Sequence, residues 1–252
     1  MSTAALNFSG TWSTADLKAL NERFEDASAF ELLDWASEEF SGDVVIASSF
    51  GLEDVVLIDL VARHELEIDI FSLDTGRLHQ ETYDVMGRIR ERYDREIEVY
   101  FPDRERVEEM VQQKGPNSFY RSRENRLECC YVRKIEPLGR ALSDREAWVT
   151  GLRRDQNVTR KNTPKIELDR GHGDILKLNP LADWSEDDIR QHIDEFDVPY
   201  NELHDRGFPS IGCAPCTRPV EAGEDARAGR WWWEAPESKE CGLHTDDTGA
   251  AQ

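Results

Sequence analysis

The five cysteines are the residues of this chain best suited to chemistry, and they divide into two pairs and a single residue. Cys129 and Cys130 are adjacent, Cys213 and Cys216 form a C-x-x-C motif, and Cys241 lies far downstream. Adjacent cysteines rarely bond to each other without strain, but two pairs together supply the four thiolates of a zinc or iron–sulfur site. The adjacent pair departs from the usual zinc spacing and favours a cluster; scattered buried thiols are the alternative.

A C-x-x-C motif also occurs in redox disulfides, where it lies at a helix start beside a thioredoxin-like βαβ unit. Here the motif lies late in the chain, in a region rich in proline and predicted loops. Its position therefore favours one half of a metal site.

The remaining cysteine has the surroundings of a nucleophile. Cys241 follows Lys239 and precedes His244. Cationic neighbours increase the thiolate fraction of a cysteine, and a thiolate is intrinsically a strong nucleophile. We therefore predict a reactive thiol at Cys241, with an incidental exposed thiol as the simpler alternative.

Two loops have the composition expected of an anion-binding edge. The segment 48–54 reads Ser-Ser-Phe-Gly-Leu-Glu-Asp, and the segment 72–76 reads Ser-Leu-Asp-Thr-Gly. A strand that turns into a helix presents free backbone N–H groups and the positive end of the helix dipole to an anion. Each loop alone is a weak signal, because ordinary strand-to-helix turns have the same composition.

The chain is strongly acidic, yet basic residues gather near these motifs. Its 252 residues include 31 Lys and Arg against 52 Asp and Glu, so the net charge is 31 − 52 = −21. This balance argues against nucleic-acid binding, which needs a basic face, and an anionic ligand would need a local positive pocket. The basic side chains predicted to form one are Arg121, Arg123, Arg126, Arg133, Lys134, Arg153, Arg154, Arg160, Lys161, Lys165, Arg218, Arg227 and Arg230.

Hydrophobic periodicity predicts the elements that position these residues. Strands are expected at 43–48, 68–73, 97–101, 148–151 and 175–178, and helices at 14–40 (two), 53–64, 78–93, 103–113, 130–142 and 185–196. A basic loop is expected at 153–170. The alternation predicts an α/β fold with a mostly parallel central sheet and helices on both faces. Ligands of such sheets bind at the carboxyl ends of the strands.

We expect one structural domain with three sequence regions: a helical segment at 1–42, an α/β domain at 43–212, and a C-terminal segment at 213–252. The tryptophans at 231–233 are expected to pack in the C-terminal segment or to wall a lid, and residues 245–252 to form a disordered tail. No apolar run reaches the roughly 20 residues that span a bilayer, and the first ten residues do not resemble a signal peptide. A cytoplasmic protein is therefore expected.

Together the motifs resemble the phosphoadenylyl-sulfate reductase family, and within it the iron–sulfur branch of assimilatory adenylyl-sulfate (APS) reductases. The resemblance implies an adenine-nucleotide α-hydrolase-like fold and extends from about residue 43 to residue 244. It is carried by the segments 48–54, 72–76, 129–134 (Cys-Cys-Tyr-Val-Arg-Lys), 151–154 (Gly-Leu-Arg-Arg), 213–216 (Cys-Ala-Pro-Cys) and 240–244 (Glu-Cys-Gly-Leu-His).

The resemblance implies thioredoxin-dependent reduction of adenylyl sulfate to sulfite and AMP, in sulfate assimilation and cysteine biosynthesis. It implies that Cys241 attacks the substrate sulfur to give an S-sulfocysteine. The implied ligands of a [4Fe-4S] cluster are Cys129, Cys130, Cys213 and Cys216. The implied phosphosulfate contacts are Lys134, Arg227, Arg230 and His244, the nucleotide loop is Ser48, Ser49, Gly51 and Asp54, and Leu73 and Gly76 lie near adenosine. Arg153 joins this substrate-binding set.

Three other functions are compatible with the sequence. The first is reduction of 3′-phosphoadenylyl sulfate, alone or with adenylyl sulfate. The second is an ATP-using enzyme of the same fold, although Phe50 occupies part of the turn where such enzymes carry a Ser-Gly-Gly-type loop. The third is a zinc module that binds a partner. Homo-oligomer formation is left open.

Overall fold

A computed structural model of the chain describes residues 12–156 and 160–235. Its helices and strands, in chain order, are α1 (Thr14–Phe24), α2 (Ala29–Phe40), β1 (Val44–Ser48), α3 (Leu52–Arg63), β2 (Asp69–Leu73), α4 (Gln80–Tyr93), β3 (Glu98–Tyr100), α5 (Arg104–Lys114), α6 (Arg123–Cys130), α7 (Glu136–Leu142), β4 (Ala147–Val149), β5 (Ile166–Asp169), β6 (Ile175–Leu178) and α8 (Glu186–Phe196).

The six strands form one sheet in the order β3-β2-β1-β4-β6-β5. All neighbouring pairs are parallel except β5 with β6. β2 and β3 lie on one side of β1, whereas β4 lies on its other side, so the strand order reverses between β1 and β4. In open parallel sheets, ligands bind outside the carboxyl ends of the strands at such a reversal.

Apolar residues cover both faces of the sheet. Val44 and Ile46 of β1 belong to the larger core, which also contains residues of α1, α2, α3, α4 and α8. Val45 belongs to the smaller core on the other face, together with Leu138 and Leu142 of α7. The predicted mostly parallel sheet with helices on both faces is confirmed. The division of the chain at residues 42 and 212 stays a prediction.

The prediction of a continuous loop at 153–170 is wrong, because Ile166–Asp169 forms β5. Only Ile166 and Leu168 of this strand are apolar, and they alternate with Glu167 and Asp169. Antiparallel pairing with β6 and an ion pair of 3.0 Å between Glu167 and Lys177 accompany the strand. Because apolar and acidic residues alternate in this four-residue edge strand, the sequence gives little hydrophobic signal for it.

The helix predicted to begin at Cys130 begins seven residues earlier, at Arg123, where the Ser122 hydroxyl accepts a hydrogen bond from the Asn125 backbone. A π-helical stretch at Tyr131–Ile135 then separates α6 from α7. Such widened turns are rare and frequently occur at functional sites. Among the described residues, no helix is both long and apolar enough to cross a membrane.

Candidate active site: two adjoining cavities

A cavity of about 420 Å³ opens at the carboxyl ends of β1, β2 and β4. Its lining includes the ends of all three strands, the loop after β4, and the segment before the C-x-x-C motif. The predicted substrate-binding residues on its wall are Ser48, Ser49, Gly51, Asp54, Leu73, Lys134, Arg153, Arg227 and Arg230. Gly76 does not line the cavity; it has a φ of +68° in the turn after β2, where its N–H donates to Asp74.

In the loop after β1, the backbone N–H groups of Ser49, Phe50 and Gly51 are already hydrogen-bonded to side chains of the same segment. The carboxylate of Asp54 accepts hydrogen bonds from the backbone N–H of Ser49 at 2.7 Å and of Gly51 at 3.3 Å, and from the Ser49 hydroxyl at 2.9 Å. The N–H of Phe50 donates to the Ser48 hydroxyl. An anionic side chain therefore already occupies the N-terminus of α3, the place where a ligand anion was expected.

Burial of the Asp54 carboxyl raises its pKa to about 6, although the hydrogen bonds from Ser49 oppose the shift. Repulsion from neighbouring Glu53 raises it further. Desolvation and a like charge both penalise the carboxylate form. Asp54 therefore adds negative charge to this wall only as the pH rises through about 6.

Arg153 lies in the cavity wall, but its charge is balanced by Glu53. The guanidinium donates to Glu53 Oε1 at 2.9 Å, and Asp155 lies 3.6 Å from it. Gln156 donates to the same Glu53 oxygen at 2.9 Å. This wall is therefore electrostatically mixed, whereas the predicted cations Lys134, Arg227 and Arg230 lie elsewhere on the lining.

Arg230 is held against backbone that leaves no space for a side chain at residue 212. One of its terminal nitrogens lies 3.3 Å from Ser210 Oγ and 3.3 Å from the Ile211 carbonyl. A Cβ added to Gly212 would lie 2.6 Å from Arg230 Cζ. Gly212 is thus needed for the position of the Arg230 guanidinium beside the cavity.

The two predicted cysteine pairs meet at a second, smaller cavity. Cys129 and Cys130 are the last two residues of α6. Cys213 precedes a short turn at Ala214–Cys216, and Cys216 is its last residue. The described cysteines, all free thiols, are Cys129, Cys130, Cys213 and Cys216. The residues that line both cavities are Lys134, Cys213, Arg230 and Trp231. The nucleotide-sized cavity and the cysteine cavity therefore share a wall.

The thiols of the cysteine cavity interact with one another and with cations. Burial, and then repulsion by Cys213 and Cys130, raises the pKa of Cys216 to about 12, while Lys134 opposes the shift. Burial also raises the pKa of Cys129. The basic residues that line the cysteine cavity are Arg77, Arg126, Arg133, Lys134 and Arg230. Within the described ranges, no group of three His, Cys, Asp or Glu could hold a single metal ion.

The loop after β2 joins the two cavities. The Thr75 hydroxyl lies 3.3 Å from Cys213 Sγ, and the Thr75 carbonyl accepts a hydrogen bond of 2.6 Å from Arg133. The Ala214 N–H donates to the Arg77 carbonyl at 2.8 Å. The π-helical stretch after α6 carries both Arg133 and Lys134, so it places one cation against this loop and the other on the shared wall.

Sequence reasoning missed several residues of the wall. Thr75 and Gly151 belong to segments that were singled out, but neither was selected. A Cβ on Gly151 would lie 2.6 Å from Glu53 Cβ, so a close approach makes glycine necessary there. His204, whose pKa burial lowers, also lines the cavity, and no sequence signal identified it. Cys241 and His244 lie outside the described residues.

Comparison with known proteins agrees with this architecture. A family model described as the phosphoadenosine phosphosulfate reductase domain matches residues 43–219. The adenosine 5′-phosphosulfate reductase of Burkholderia cepacia is 53% identical over 201 residues, which cover 80% of each chain. The protein of the same name from Allochromatium vinosum is 50% identical over 219 residues, or 87% of this chain and 85% of that one.

Solved structures agree at the level of the fold. The phosphoadenylyl-sulfate reductase of Candida auris, in a phosphate complex, has a TM-score of 0.72 and 29% identity, and the match covers 84% of this chain and 100% of that one. An FMN adenylyltransferase of Candida glabrata has a TM-score of 0.53 at 16% identity, covering 94% and 81%. The expected adenine-nucleotide α-hydrolase-like fold is confirmed. By the match of its sheet, its loops and most of its length, the chain belongs to the phosphoadenosine phosphosulfate reductase family.

Proposed function

We propose that this chain catalyses the thioredoxin-dependent reduction of adenylyl sulfate to sulfite and AMP, as part of sulfate assimilation. The shared wall carries the proposal: a nucleotide-sized cavity and a four-thiol cavity meet at Lys134 and Arg230. The names of the bacterial relatives at 50–53% identity support it.

In this proposal the substrate lies in the larger cavity. The adenosine lies against the loops that contain Leu73 and Ser48–Asp54, and the phosphosulfate lies against Lys134, Arg227 and Arg230. His244 would complete the phosphosulfate contacts. Guanidinium groups suit phosphate and sulfate oxygens because their fixed N–H groups match the oxygen spacing.

Cys241 is assigned as the nucleophile. Its thiolate attacks the substrate sulfur, the bond from that sulfur to the bridging oxygen breaks, and AMP leaves with the electron pair. Lys134, Arg227 and Arg230 would stabilise the charge that develops on the leaving phosphate, more strongly in the transition state than in the ground state. The product on the enzyme is an S-sulfocysteine at Cys241.

Release of sulfite needs an external dithiol if the other four cysteines hold a cofactor. One thioredoxin thiolate attacks the Cys241 sulfur and expels sulfite, which leaves a mixed disulfide. The second thioredoxin thiol then attacks the thioredoxin sulfur of this mixed disulfide. Thioredoxin leaves as an internal disulfide, and the Cys241 thiolate is restored. A cytoplasmic location is proposed because the free thiols must stay reduced.

We further propose that Cys129, Cys130, Cys213 and Cys216 hold a [4Fe-4S] cluster. The donor set fits: four thiols line one cavity, and surrounding cations offset the negative charge of a thiolate-ligated cluster. When bound, the cluster would supply buried negative charge beside Lys134 and so tune the anion site.

Mass spectrometry tests the nucleophile. Anaerobically purified protein, incubated with adenylyl sulfate but no reductant, should carry a sulfonate adduct on Cys241 alone. Cys241→Ser should lose the adduct and the release of sulfite with thioredoxin. Asp247→Asn, a matched change in the same terminal stretch, should keep both. Sulfite formation at the normal rate by Cys241→Ser would refute the assignment.

Two further measurements separate the alternatives. Iron and acid-labile sulfide should be found in the purified protein, whereas zinc without either would support a zinc site. Side-by-side kinetics should show a higher kcat/KM for adenylyl sulfate than for its 3′-phosphorylated form. The reverse order would support the 3′-phosphoadenylyl-sulfate activity named for the Candida auris structure.

A further inference from the structure

A buried ion pair fixes the segment that leads to the C-terminal stretch. Arg126 Nε lies 2.6 Å from Glu234 Oε1, and Arg126 Nη2 lies 2.9 Å from Glu234 Oε2. The two side chains are 1% and 7% exposed. Exposed pairs contribute little to stability, but removal of one partner from a buried pair leaves an uncompensated charge. Glu234 is therefore one of the groups that hold the Arg126 guanidinium in place, together with Cys130, with which the guanidinium also interacts.

Trp231 packs between two guanidinium groups. Arg126 Cζ lies 4.6 Å from the ring centroid, and Arg230 Cζ lies 4.7 Å from it. Trp231 is 1% exposed and has a φ of +41°. A bulky side chain in the left-handed region is unfavourable, and it persists only where the surroundings impose it. The contact with Arg126 and the hydrogen bond from the Trp231 N–H to the Cys216 carbonyl at 3.0 Å are two such constraints.

Arg230 is the next residue along this chain of contacts. Its guanidinium stacks on Trp231 on one side and packs against Gly212 on the other, and it lines the larger cavity. A shift of the Trp231 ring would therefore change the position of Arg230 in the cavity. Arg126, in contrast, lines only the cysteine cavity.

We propose that Glu234 is a positioning residue for the anion site: by holding Arg126 against Trp231, it fixes the Trp231 ring and thereby the Arg230 guanidinium. This inference rests on the proposed function, because Arg230 is proposed to bind the phosphosulfate.

Binding measurements test the proposal in a Cys241→Ser parent, which should bind adenylyl sulfate without turnover. Calorimetric titration of the anaerobic, iron-containing protein gives the dissociation constants. Glu234→Gln should weaken adenylyl sulfate binding at least tenfold, but adenosine binding less than twofold, because adenosine lacks the phosphosulfate. Glu224→Gln is the matched control: it removes one partner of the exposed bidentate pair with Arg218 in the same segment, and both affinities should stay unchanged.

A double-mutant cycle separates positioning from a general loss of structure. Arg230→Ala alone should weaken adenylyl sulfate binding, and Glu234→Gln added to it should cause less than a twofold further loss, because Glu234 acts through Arg230. If Glu234→Gln does not fold, Arg126→Lys replaces it in the cycle. This variant keeps the charge but loses the bidentate geometry.

Each outcome decides something. A parent protein that does not bind adenylyl sulfate overturns the proposed function, and this inference with it. A parent that binds, combined with unchanged affinity in Glu234→Gln, overturns the positioning role alone. Equal loss of adenosine binding, or additive losses in the cycle, also overturns it, since both indicate a general structural effect.

Discussion

At the scale of single residues, Gly212 has a direct steric role beside the proposed anion site. A Cβ at this position would overlap the Arg230 guanidinium, with Cζ at 2.6 Å. The obstacle is the far end of a flexible side chain rather than backbone, so the protein can fold if Arg230 moves. The consequence of a substitution should therefore appear in ligand binding rather than in stability.

We predict that Gly212→Ala weakens adenylyl sulfate binding about tenfold, the loss expected from roughly one charge-assisted hydrogen bond, and changes the melting temperature by only a few degrees. Calorimetric titration and thermal unfolding measure the two effects. Gly87→Ala in α4 is the matched control, since a Cβ there meets nothing within 4 Å; it should leave affinity unchanged. Full affinity in Gly212→Ala would show that the position of Arg230 is unimportant.

Asp54 should give substrate binding a dependence on pH. Its pKa of about 6 lies above the ordinary 3.8 because the carboxyl is buried. The side chain is therefore largely neutral below pH 6 and negative above it, and the negative form repels an anionic ligand. We predict that adenylyl sulfate affinity in the Cys241→Ser protein falls several-fold between pH 5.5 and 7.5.

The variants for this prediction are Asp54→Asn and the exposed Asp144→Asn. Asp54→Asn removes the titrating group, so its affinity should change less with pH, whereas Asp144→Asn should follow the parent. Adenylyl sulfate is a suitable probe because, unlike AMP, it has no phosphate ionisation near pH 6. Identical pH profiles for the parent and Asp54→Asn would contradict the assignment.

Among the elements, α3, α4 and α8 are joined by a buried polar cluster remote from the cysteines in sequence. The fully buried Asp59 carboxylate lies 2.8 Å from the Tyr93 hydroxyl and 2.7 Å from His192 Nε2. The hydrogen bonds and charges around it keep the pKa of Asp59 low even though burial opposes this. Its stabilising contribution is thus present above the ordinary carboxyl pKa and is lost as the pH falls below it.

We predict that Asp59→Ala destabilises the protein by about 3–5 kcal/mol at neutral pH, because it leaves buried polar partners without an acceptor. Urea unfolding measures the loss. The matched control is Glu202→Ala, which removes a partner of the exposed Arg206 and should cost less than about 1 kcal/mol. A loss below 1 kcal/mol for Asp59→Ala would mean that the cluster does not hold the helices together.

The elements also show what hydrophobic pattern can predict. Runs such as Val44–Ser48 are apolar because both faces of a central parallel strand are covered, so the sheet and its ligand-binding edge were predictable. Ile166–Asp169 was not, because an edge strand needs only alternate apolar residues. The pairing of the cysteines in the sequence suggested that the two pairs lie together, and all four line one cavity.

Side-chain partners were less predictable than elements. The segment 48–54 indicated an anion site, but sequence alone could not show that Asp54 accepts the amide N–H groups itself. Likewise, Arg153 is one of several basic residues near the fourth strand, and only the folded chain brings Glu53 within 2.9 Å of it. The Arg153–Glu53 pairing joins residues a hundred positions apart, whereas the Asp54 hydrogen bonds are local but depend on the exact conformation of the turn.

At the scale of the whole molecule, charge is distributed unevenly. The chain carries a net charge of −21, yet five basic side chains line the cysteine cavity. Of these, Arg126 is paired with Glu234. The cavity is built from five separate parts of the chain: the loop after β2, the turn that contains Phe119, α6 with the π-helical stretch after it, the turn at 213–216, and Arg230 with Trp231. The proposed cluster would place a buried negative group among these cations and so link these parts of the chain.

We predict that removal of iron loosens this region while the sheet stays folded. Without the cluster, cations of the cysteine cavity would face the protonated thiol of Cys216, since burial raises the pKa of this thiol to about 12. Trypsin should then cleave after Arg227 or Arg230 at least tenfold faster in iron-free protein than in iron-containing protein, and far-UV circular dichroism should change little. Cleavage after Arg88 in α4, which is remote in sequence from every cysteine, is the internal control and should keep its rate. If these sites are cleaved at the same rate in the iron-free and the iron-containing protein, the fold, and not a bound cluster, holds these parts in place.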